Sequence, residues 1–348
     1  MLEAPGIEEP ELPSERPAGL LGPRVPAPVR PAVVSVAMEV PSATLTSAEL
    51  AEQLGLTEQW IVSRTGVRER PTARPEERLA DYAARAGAQA LARAGVDPAD
   101  LDLVIVGTMT ADEVTPNAAP LVAGALGATR AGAFDVGAAC TAFLSGVSLG
   151  ASQIESGRAQ HVLVIGADFI TRVIDWKDKR TAPLFADATG AVVISPANGE
   201  FGAVGPIVLG ADSSGAGTIV VDHSERKVRM DGPEVYRHAV SRMSESTLAA
   251  VAQAGLTLED IDLFVYHQAN GRITRALGEK LGLAPERVID CIATFGNSSA
   301  ATLPVALAVA QAEGRLKPGT LVHLGAFGAG FTWGGGVIQW GGGGDGGD

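Results

Sequence analysis

The sequence predicts an α/β protein whose chain is divided into two related halves. Apolar, strand-like runs alternate with helix-like segments along most of the 348 residues, which is the pattern of helices packed on sheets. One segment also repeats without gaps, since GVDPADLDLVIV at 95–106 aligns on GLTLEDIDLFVY at 255–266. Hydrophobic residues make up 46% of the chain and charged residues only 19%, which favours a large buried core.

The predicted elements follow from short apolar runs and from longer segments with helical periodicity. The predicted strands are 32–39, 101–107, 162–167, 191–195, 263–266, 321–325 and 336–340. The predicted helices are 47–54, 75–94, 141–156, 233–255, 270–281 and 301–313.

The two ends of the chain differ in composition from the rest. Residues 1–31 contain eight prolines and little periodicity, so we expect a disordered proline-rich arm. Residues 341–348 are glycine and aspartate only, so we expect a flexible tail. Between them, the repeat predicts an N-terminal half at 32–199 and a C-terminal half at 200–340.

The repeat continues through one helix of each half. The helix after Cys140 ends in ESGR at 155–158, and the helix after Asn297 ends in AEGR at 312–315. The correspondence places Cys140 and Asn297 at equivalent strand-to-helix turns, while His267 directly follows a predicted strand. Because equivalent turns of two related halves can converge at their interface, we expect these three side chains to face one pocket.

Cys140 lies where a strand-like run of small residues gives way to a predicted helix. A thiol at a helix N-terminus feels the positive end of the helix dipole, which lowers its pKa and favours the nucleophilic thiolate. The alternative for a single cysteine is a buried structural residue. The other cysteine, Cys291, completes neither a metal-ligand spacing nor a disulfide framework, which fits a cytoplasmic protein with no metal site.

Charge and hydropathy exclude several classes of function. The formal net charge of −13 argues against general nucleic-acid binding, because binding phosphate needs lysine and arginine. The N-terminus has no basic segment followed by an apolar one, so no signal peptide is predicted. Apolar runs such as 162–167 are far shorter than the roughly 20 residues that span a bilayer, so we expect a soluble protein without membrane contact.

The three polar residues suit a reaction that forms a carbon–carbon bond. A thiolate attacks a thioester and holds its acyl group covalently. Decarboxylation of a malonyl unit then supplies a thioester enolate, whose oxygen needs hydrogen-bond donors where the charge develops. The neutral imidazole of His267 and the carboxamide of Asn297 are such donors. Taken singly, a histidine at a strand end is more often structural, and an asparagine after glycine is more often a turn residue.

Four motifs surround these residues: AAC at 138–140, HQAN at 267–270, GNSS at 296–299 and AFGAGFTWG at 326–334. Together they resemble the β-ketoacyl-acyl-carrier-protein synthase III enzymes of the thiolase superfamily, over about residues 32–340. The resemblance implies a five-layered α-β-α-β-α fold of two pseudo-symmetric halves, assembled as a homodimer.

The resemblance also implies the reaction. An acyl group moves from coenzyme A to Cys140, and His267 and Asn297 then drive its decarboxylating condensation with malonyl-acyl carrier protein. Acyl-CoA is a substrate here, so no cofactor is implied. Phe327 is implied to pack beside the cysteine, and the backbone N–H groups of Cys140 and Ala329 to form the oxyanion hole. The family usually has glycine where this chain has Ala329.

Further residues around the site are implied by the same resemblance. Those implied to bind coenzyme A are Trp60, Arg64, Lys179 and Arg180, with Lys179 in place of the family's arginine. Those implied to dock the acidic carrier protein are Arg237, Arg272, Arg275 and Lys280.

Thr115 occupies the position at which, in the family, the neighbouring subunit closes the end of the acyl pocket. Members that prefer acetyl groups carry a bulky aromatic residue there, whereas threonine leaves more room. The difference predicts a primer longer or bulkier than acetyl.

Three alternative functions stay open. A starter-unit or acyl-transferring homologue of a natural-product pathway would pass the acyl group to another thiol, amine or alcohol, but simple transfer needs no enolate-stabilising pair. An iterative plant-type polyketide synthase shares a Cys, His and Asn set, but the HQAN motif and the shorter chain favour the initiating family. A non-enzymatic partner subunit, like the chain-length factors of polyketide systems, would lack the nucleophile. The sequence does not distinguish fatty acid from polyketide synthesis.

Overall fold

Two mixed sheets with matching strand order form the framework of the computed structural model, which describes residues 29–197 and 199–342. The first sheet has the order β1 (Pro31–Glu39), β7 (Asp187–Pro196), β6 (Val162–Phe169), β4 (Leu103–Gly107) and β5 (Gly132–Val136). The second has the order β8 (Ala203–Ala211), β13 (Thr332–Gln339), β12 (Leu321–Gly328) and β11 (Leu263–Tyr266).

The pairing directions of the two sheets also match. In each, the first two pairs of neighbouring strands are antiparallel, and β6–β4 and β12–β11 are both parallel. The parallel pair β4–β5 has a reduced counterpart in the second sheet, where Phe264 of β11 forms a parallel bridge with Val288. The sequence repeat therefore corresponds to a structural repeat.

The remaining strands and the helices complete the chain. Two short antiparallel pairs are β2 (Thr44–Thr46) with β3 (Glu69–Pro71), and β9 (Ile219–Val221) with β10 (Val228–Met230). The helices are α1 (Ser47–Leu54), α2 (Glu58–Thr65), α3 (Leu79–Ala94), α4 (Ala118–Leu126), α5 (Ala142–Glu155), α6 (Gly232–Gln253), α7 (Gly271–Leu281), α8 (Ile292–Phe295) and α9 (Thr302–Ala312). Over the described ranges, no helix combines the length and the apolar character needed to cross a membrane.

The helices form three layers that alternate with the two sheets. Helices α3 and α4 cover the outer face of the first sheet, α5 and α9 lie between the sheets, and α6, with α7 packed on it, covers the second. The central layer is apolar, with Phe143 of α5 and Leu303 of α9 fully buried against Val164 and Leu324 of the two sheets. This arrangement confirms the predicted five-layered α-β-α-β-α fold.

The start of α3 differs from the sequence prediction. The periodic pattern predicts a helix from residue 75, whereas α3 begins at Leu79. Asp112, in the loop after β4, accepts hydrogen bonds from the N–H groups of Leu79 and Ala80, both at 3.0 Å. Arg78 at the N-cap makes no capping bond of its own. A carboxylate distant in sequence therefore decides where this helix begins.

The elements that the sequence analysis did not predict are short or atypical. They are α2, α4, α8, β2, β3, β8, β9 and β10, each of 3 to 9 residues, together with β5, which the sequence analysis noted only as a strand-like run before Cys140. The longest of these strands, β8, contains two glycines and a proline in AVGPIVLGA, which weakens its strand signal.

The residues next to the predicted arm and tail are part of the two sheets or are bonded to them. Residues 1–28 of the predicted arm and 343–348 of the predicted tail lie outside the described residues. Within the described part, β1 begins at Pro31, which pairs with Pro196. Gly341 donates a 3.1 Å hydrogen bond to the carbonyl of Val33. The last arm residue and the first tail residue thus belong to the fold.

His323 is a fully buried histidine on β12. It packs against the rings of Phe264 and Tyr266, at centroid distances of 5.8 and 5.5 Å. In the described part of the chain, neither of its ring nitrogens has a hydrogen-bond partner. Burial lowers the pKa of His323 from 6.5 to about 3, so the folded protein keeps this ring neutral in mild acid.

We expect His323→Leu to make folding less sensitive to mild acid. As the pH falls below the ordinary histidine pKa, the imidazole of His323 binds a proton in the unfolded chain but stays neutral in the folded protein. This costs up to about 1.4 kcal/mol of unfolding free energy per pH unit, and removing the imidazole removes the cost. Urea unfolding at pH 7 and pH 5 measures the loss of unfolding free energy between the two pH values. The control is His223→Leu, at an exposed histidine. Equal pH dependence in wild type and His323→Leu would contradict the prediction.

Candidate active site

One cavity of about 550 Å³ draws its walls from both halves of the chain. Cys140, His267 and Asn297 all line it, together with Phe327. The residues predicted to bind coenzyme A line it as well: Trp60, Arg64, Lys179 and Arg180. The structure thus brings these predicted site residues together, while their catalytic and binding roles stay predictions.

Cys140 lies in a 3₁₀ turn, Ala139–Thr141, directly before α5. Gly328, at the end of β12, approaches it so closely that an added Cβ would lie 3.0 Å from the Cys140 nitrogen and 3.1 Å from its Cβ. Because a side chain there would be crowded against Cys140, glycine allows the second half to pack closely against the nucleophile. Sequence analysis did not single out Gly328.

The second half has an equivalent turn, Ser299–Ala301, directly before α9. Both turns begin with a residue in the left-handed region, Ala139 at φ 46° and Ser299 at φ 52°. This match makes Ala300 the counterpart of Cys140, and Asn297 lies just before its turn. Cys140 and Asn297 therefore lie at the equivalent strand-to-helix junctions that the repeat predicts, at different positions within them.

The acidity of the Cys140 thiol also differs from the sequence prediction. Burial is the largest effect and raises its pKa to about 11, and the carboxylate of Asp168 acts in the same direction. The expected lowering by the helix dipole is wrong in its net direction, because the surroundings disfavour the thiolate more than the helix terminus favours it. The free thiol is therefore protonated at neutral pH.

His267 directly follows β11, and its N–H donates to the carbonyl of Gly325 at 2.8 Å. Its Nδ1 lies 2.6 Å from Oγ1 of Thr302, so Nε2 is the nitrogen left for a ligand in the cavity. Oγ1 of Thr302 also lies 3.0 Å from the carbonyl oxygen of Ser299. Burial lowers the pKa of His267 to about 3, which keeps the imidazole neutral.

Asn297 is held on both its backbone and its side chain. Its N–H donates to Leu184 and its carbonyl accepts from Ala186, so the segment pairs with a wall of the cavity. Oδ1 accepts the N–H of Ser299 at 2.9 Å, and Nδ2 donates to the carbonyl of Ala269 at 3.3 Å. The carboxamide is therefore fixed, with its NH₂ group turned toward the segment that follows His267.

Two residues of the HQAN motif hold the site together. Gln268 donates to the carbonyl of Ile289 at 3.2 Å and accepts the N–H of Cys291 at 3.1 Å. Asn270 caps α7 and donates to the carbonyl of Arg64 at 3.1 Å. The motif therefore combines three residues that line the cavity, His267, Ala269 and Asn270, with side-chain hydrogen bonds that fix their surroundings.

The outer part of the cavity carries aromatic rings and cations. The guanidinium of Arg64 lies 4.3 Å from the ring centroid of Trp60, and that of Arg272 lies 5.6 Å from the ring of Tyr236. Arg64, Arg272 and Tyr236 are exposed, as are Lys179 and Arg180. Flat rings and fixed cations suit a ligand with an aromatic base and phosphates. Tyr236 was not predicted, because nothing distinguishes one aromatic residue within a long helical pattern.

Arg70 is a further residue that the sequence analysis missed. It is fully buried on β3, and its Nη1 donates to the carbonyls of Pro183 at 2.6 Å and Ala182 at 3.3 Å. Pro183 lines the cavity. Burial lowers the pKa of Arg70 to about 10. Its contacts make it a support for the cavity wall, and only the folded chain brings them together.

The remaining predicted residues lie outside the cavity lining. Arg237, Arg275 and Lys280 are exposed on α6 and α7. Thr115 is exposed in the loop between β4 and α4. Ala329 follows β12 and is partly buried, and its φ lies outside the left-handed region, so its methyl group causes no backbone strain there.

Comparison with known proteins identifies two matching family profiles. The profile described as 3-oxoacyl-[acyl-carrier-protein (ACP)] synthase III matches residues 134–213, and its C-terminal counterpart matches 251–340. A beta-ketoacyl-[acyl-carrier-protein] synthase III of Symbiobacterium thermophilum is 42% identical over 90% of this chain and 99% of its own. One from Rhodobacter capsulatus is 39% identical over 90% and 99%.

Solved structures agree with the sequence matches. The 3-oxoacyl-[acyl-carrier-protein] synthase III of Aquifex aeolicus superposes with a TM-score of 0.87 at 35% identity, over 89% of this chain and 100% of that one. A priming β-ketosynthase from a polyketide biosynthetic pathway gives 0.87 at 35% identity, over 92% and 98%. The chain therefore belongs to the β-ketoacyl-acyl-carrier-protein synthase III family.

Proposed function

We propose that this protein catalyses the decarboxylating condensation of an acyl-CoA primer with malonyl-acyl carrier protein, through an acyl-cysteine on Cys140. The observation that carries the proposal is the cavity itself. It holds a thiol, a neutral imidazole and a fixed carboxamide at its buried end, and rings and cations at its exposed end. Family membership supports the same reaction. The pathway served is fatty acid or polyketide initiation.

The first stage is acyl transfer. The sulfur of Cys140 attacks the thioester carbonyl, the thiol proton leaves, and coenzyme A departs as its thiol. Because the free thiol is protonated at neutral pH, the thiolate forms in the complex with acyl-CoA rather than before it. The backbone N–H groups of Cys140 and Ala329 are proposed to stabilise the oxyanion.

The second stage is decarboxylation and condensation. Loss of carbon dioxide from the malonyl thioester leaves an enolate, whose oxygen accepts hydrogen bonds from His267 Nε2 and Asn297 Nδ2. For Nε2 to carry the ring proton, the Thr302 hydroxyl must turn from the carbonyl of Ser299, to which it donates at 3.0 Å, and donate to Nδ1 instead. The depressed pKa of His267 keeps the ring from becoming an acid that would protonate the carbanion. The carbanion then attacks the acyl carbonyl, and Cys140 leaves as the thiolate. Phe327, which lines the cavity, supplies an apolar wall that favours expulsion of the carboxylate.

The carrier protein is proposed to dock at α7. Arg272, Arg275 and Lys280 are exposed on this helix, and Arg272 also lines the cavity, so an acidic partner bound there would face the opening. Arg237 on α6 extends the same basic patch. This local patch offsets the overall negative charge of the chain.

A homodimer is proposed from the free edge of the first sheet. In the described residues, β5 pairs with β4 alone, and its Phe134 is 41% exposed. In the nearby loop after β4, Val114 is 93% exposed and Met109 39%. Covering these apolar side chains with a second copy would bring Thr115 of each subunit to the other.

The two free cysteines fit our proposal that the protein is a cytoplasmic enzyme. We also propose that it needs no cofactor, because acyl-CoA is its substrate.

The two stages should separate in variants. Cys140→Ala should abolish the acyl adduct, because it removes the acyl acceptor. Asn297→Ala should keep the adduct but lower carbon dioxide release from malonyl-acyl carrier protein by about 10²–10³-fold, the usual effect of losing one oxyanion donor. Intact-protein mass spectrometry and carbon dioxide release measure the two stages, with Cys291→Ala as the control. An adduct that survives in Cys140→Ala would contradict the proposal.

Primer preference tests the proposed place of Thr115. Wild type should favour butanoyl, branched or octanoyl CoA over acetyl-CoA, and Thr115→Phe should shift the preference toward acetyl by filling the pocket of the other subunit. Competition among these primers, read as the mass added at Cys140, measures the preference. Val114→Phe, at the exposed neighbouring position, is the matched control. A wild-type enzyme that clearly prefers acetyl-CoA would rule out the wider pocket.

A further inference from the structure

Asp168 is a buried carboxylate that the mechanism above does not use. It lies near the end of β6 with no exposed surface. Burying a carboxylate is costly unless hydrogen bonds replace its water, so its partners show what the residue holds in place.

The two oxygens of Asp168 bind different halves of the chain. Oδ1 accepts from three groups in the loop after β4, which are Thr108 Oγ1 at 3.1 Å, Met109 N–H at 2.9 Å and Thr110 Oγ1 at 2.9 Å. Oδ2 accepts the N–H of Ala300 at 3.2 Å, in the turn before α9. One carboxylate therefore joins a loop of the first half to a turn of the second.

That turn orients both groups proposed to drive decarboxylation. The N–H of Ser299 donates to Asn297 Oδ1 at 2.9 Å. The carbonyl of Ser299 lies 3.0 Å from Oγ1 of Thr302, which in turn lies 2.6 Å from Nδ1 of His267. Ser299 holds its left-handed φ of 52° without being glycine, a conformation that persists only where the surroundings fix it.

The carbonyl of Ala300, in the same turn, is fixed by close packing. A Cβ on Gly166 of β6 would lie 2.2 Å from the carbonyl oxygen of Ala300. The backbone of Ala300 is therefore held by two residues of β6: its carbonyl packs closely on Gly166, and its N–H donates to Asp168. The turn has no freedom to shift without breaking one of these contacts.

We propose that Asp168 is a positioning residue for the condensation stage. Through Ala300 it fixes the turn that orients the carboxamide of Asn297 and the hydroxyl partner of His267. The proposal rests on the proposed function, and it assigns Asp168 no contact with the substrate.

Asp168→Asn separates this role from general support of the fold. The side-chain oxygen of asparagine can still accept the three donors of the 108–110 loop. Its NH₂ group would then face the N–H of Ala300, and two donors cannot bond. The substitution therefore keeps the loop contact and breaks the contact to the turn.

The negative charge of Asp168 allows a second measurement, the reactivity of the Cys140 thiol, which should increase in the variant whereas carbon dioxide release should fall. Its carboxylate raises the pKa of Cys140, so the neutral amide should lower that pKa and make the thiol react with alkylating agents at lower pH. A merely destabilised site has no reason to show this shift. The other ionisable groups lining the cavity are unchanged in the variant: His267, kept neutral by burial, and the cations Arg64, Lys179, Arg180 and Arg272.

Asp187→Asn is the matched control. Asp187 is equally buried in the same sheet and accepts hydrogen bonds from Ala73 at 2.7 Å and Thr171 at 2.8 Å. Burial raises its pKa to about 6, and it is not among the groups that shift the pKa of Cys140.

The experiment compares wild type, Asp168→Asn and Asp187→Asn in three measurements. These are acyl-Cys140 formation from acyl-CoA, carbon dioxide release from malonyl-acyl carrier protein, and the pH dependence of Cys140 alkylation by iodoacetamide, followed by mass. In Asp168→Asn we expect acyl-Cys140 to form, carbon dioxide release to fall by about 10²-fold, and the alkylation midpoint to move to lower pH. The midpoint should stay at the wild-type pH in Asp187→Asn.

Wild-type carbon dioxide release in Asp168→Asn, or an unmoved alkylation midpoint, would overturn the inference. If that variant does not fold, Thr302→Val and Thr302→Ser test the same turn. Loss of carbon dioxide release in the valine variant alone, with acylation kept, supports the inference, and equal release in both overturns it. A wild-type enzyme that forms no acyl-Cys140 or releases no carbon dioxide would instead overturn the proposed function.

Discussion

The packing of α5 and α9 against each other between two sheets is the constraint on which the site depends. Each helix is preceded by a turn that begins in the left-handed region, and the two turns pack together where the halves meet. Gly166 and Gly328 favour this approach, because a side chain at Gly166 would collide with the opposite turn and one at Gly328 would be crowded against it. The sulfur of Cys140 thereby shares a cavity with groups from the other half.

Burial at this junction sets the charge state of the site. It keeps the Cys140 thiol protonated and the His267 ring neutral. A buried end lined by neutral groups disfavours free charge, yet its fixed donors would act strongly on the enolate that we propose forms there, since little water competes. Burial is therefore the common cause of the shifted pKa values of Cys140 and His267 and of the strong hydrogen bonds that an enolate would receive.

The exposed end of the cavity has the opposite character. Arg64 and Arg272 stack on aromatic rings, and further cations lie beside them, although the whole chain carries a formal charge of −13. An anionic thioester would therefore be attracted to one face only, while its reacting carbon enters a neutral interior. A cavity with a cationic opening and a neutral interior suits a substrate that has a charged carrier and an apolar acyl group.

The sequence by itself determined the fold class, the two related halves and the group Cys140, His267 and Asn297, because periodicity, a gapless repeat and short motifs are local in the chain. Tertiary structure alone decided the rest. Burial reversed the expected acidity of Cys140, Asp112 set the start of α3, and Asp168 joined a loop to a turn of the other half. These properties depend on groups far apart in sequence and close in space, so no local pattern contains them.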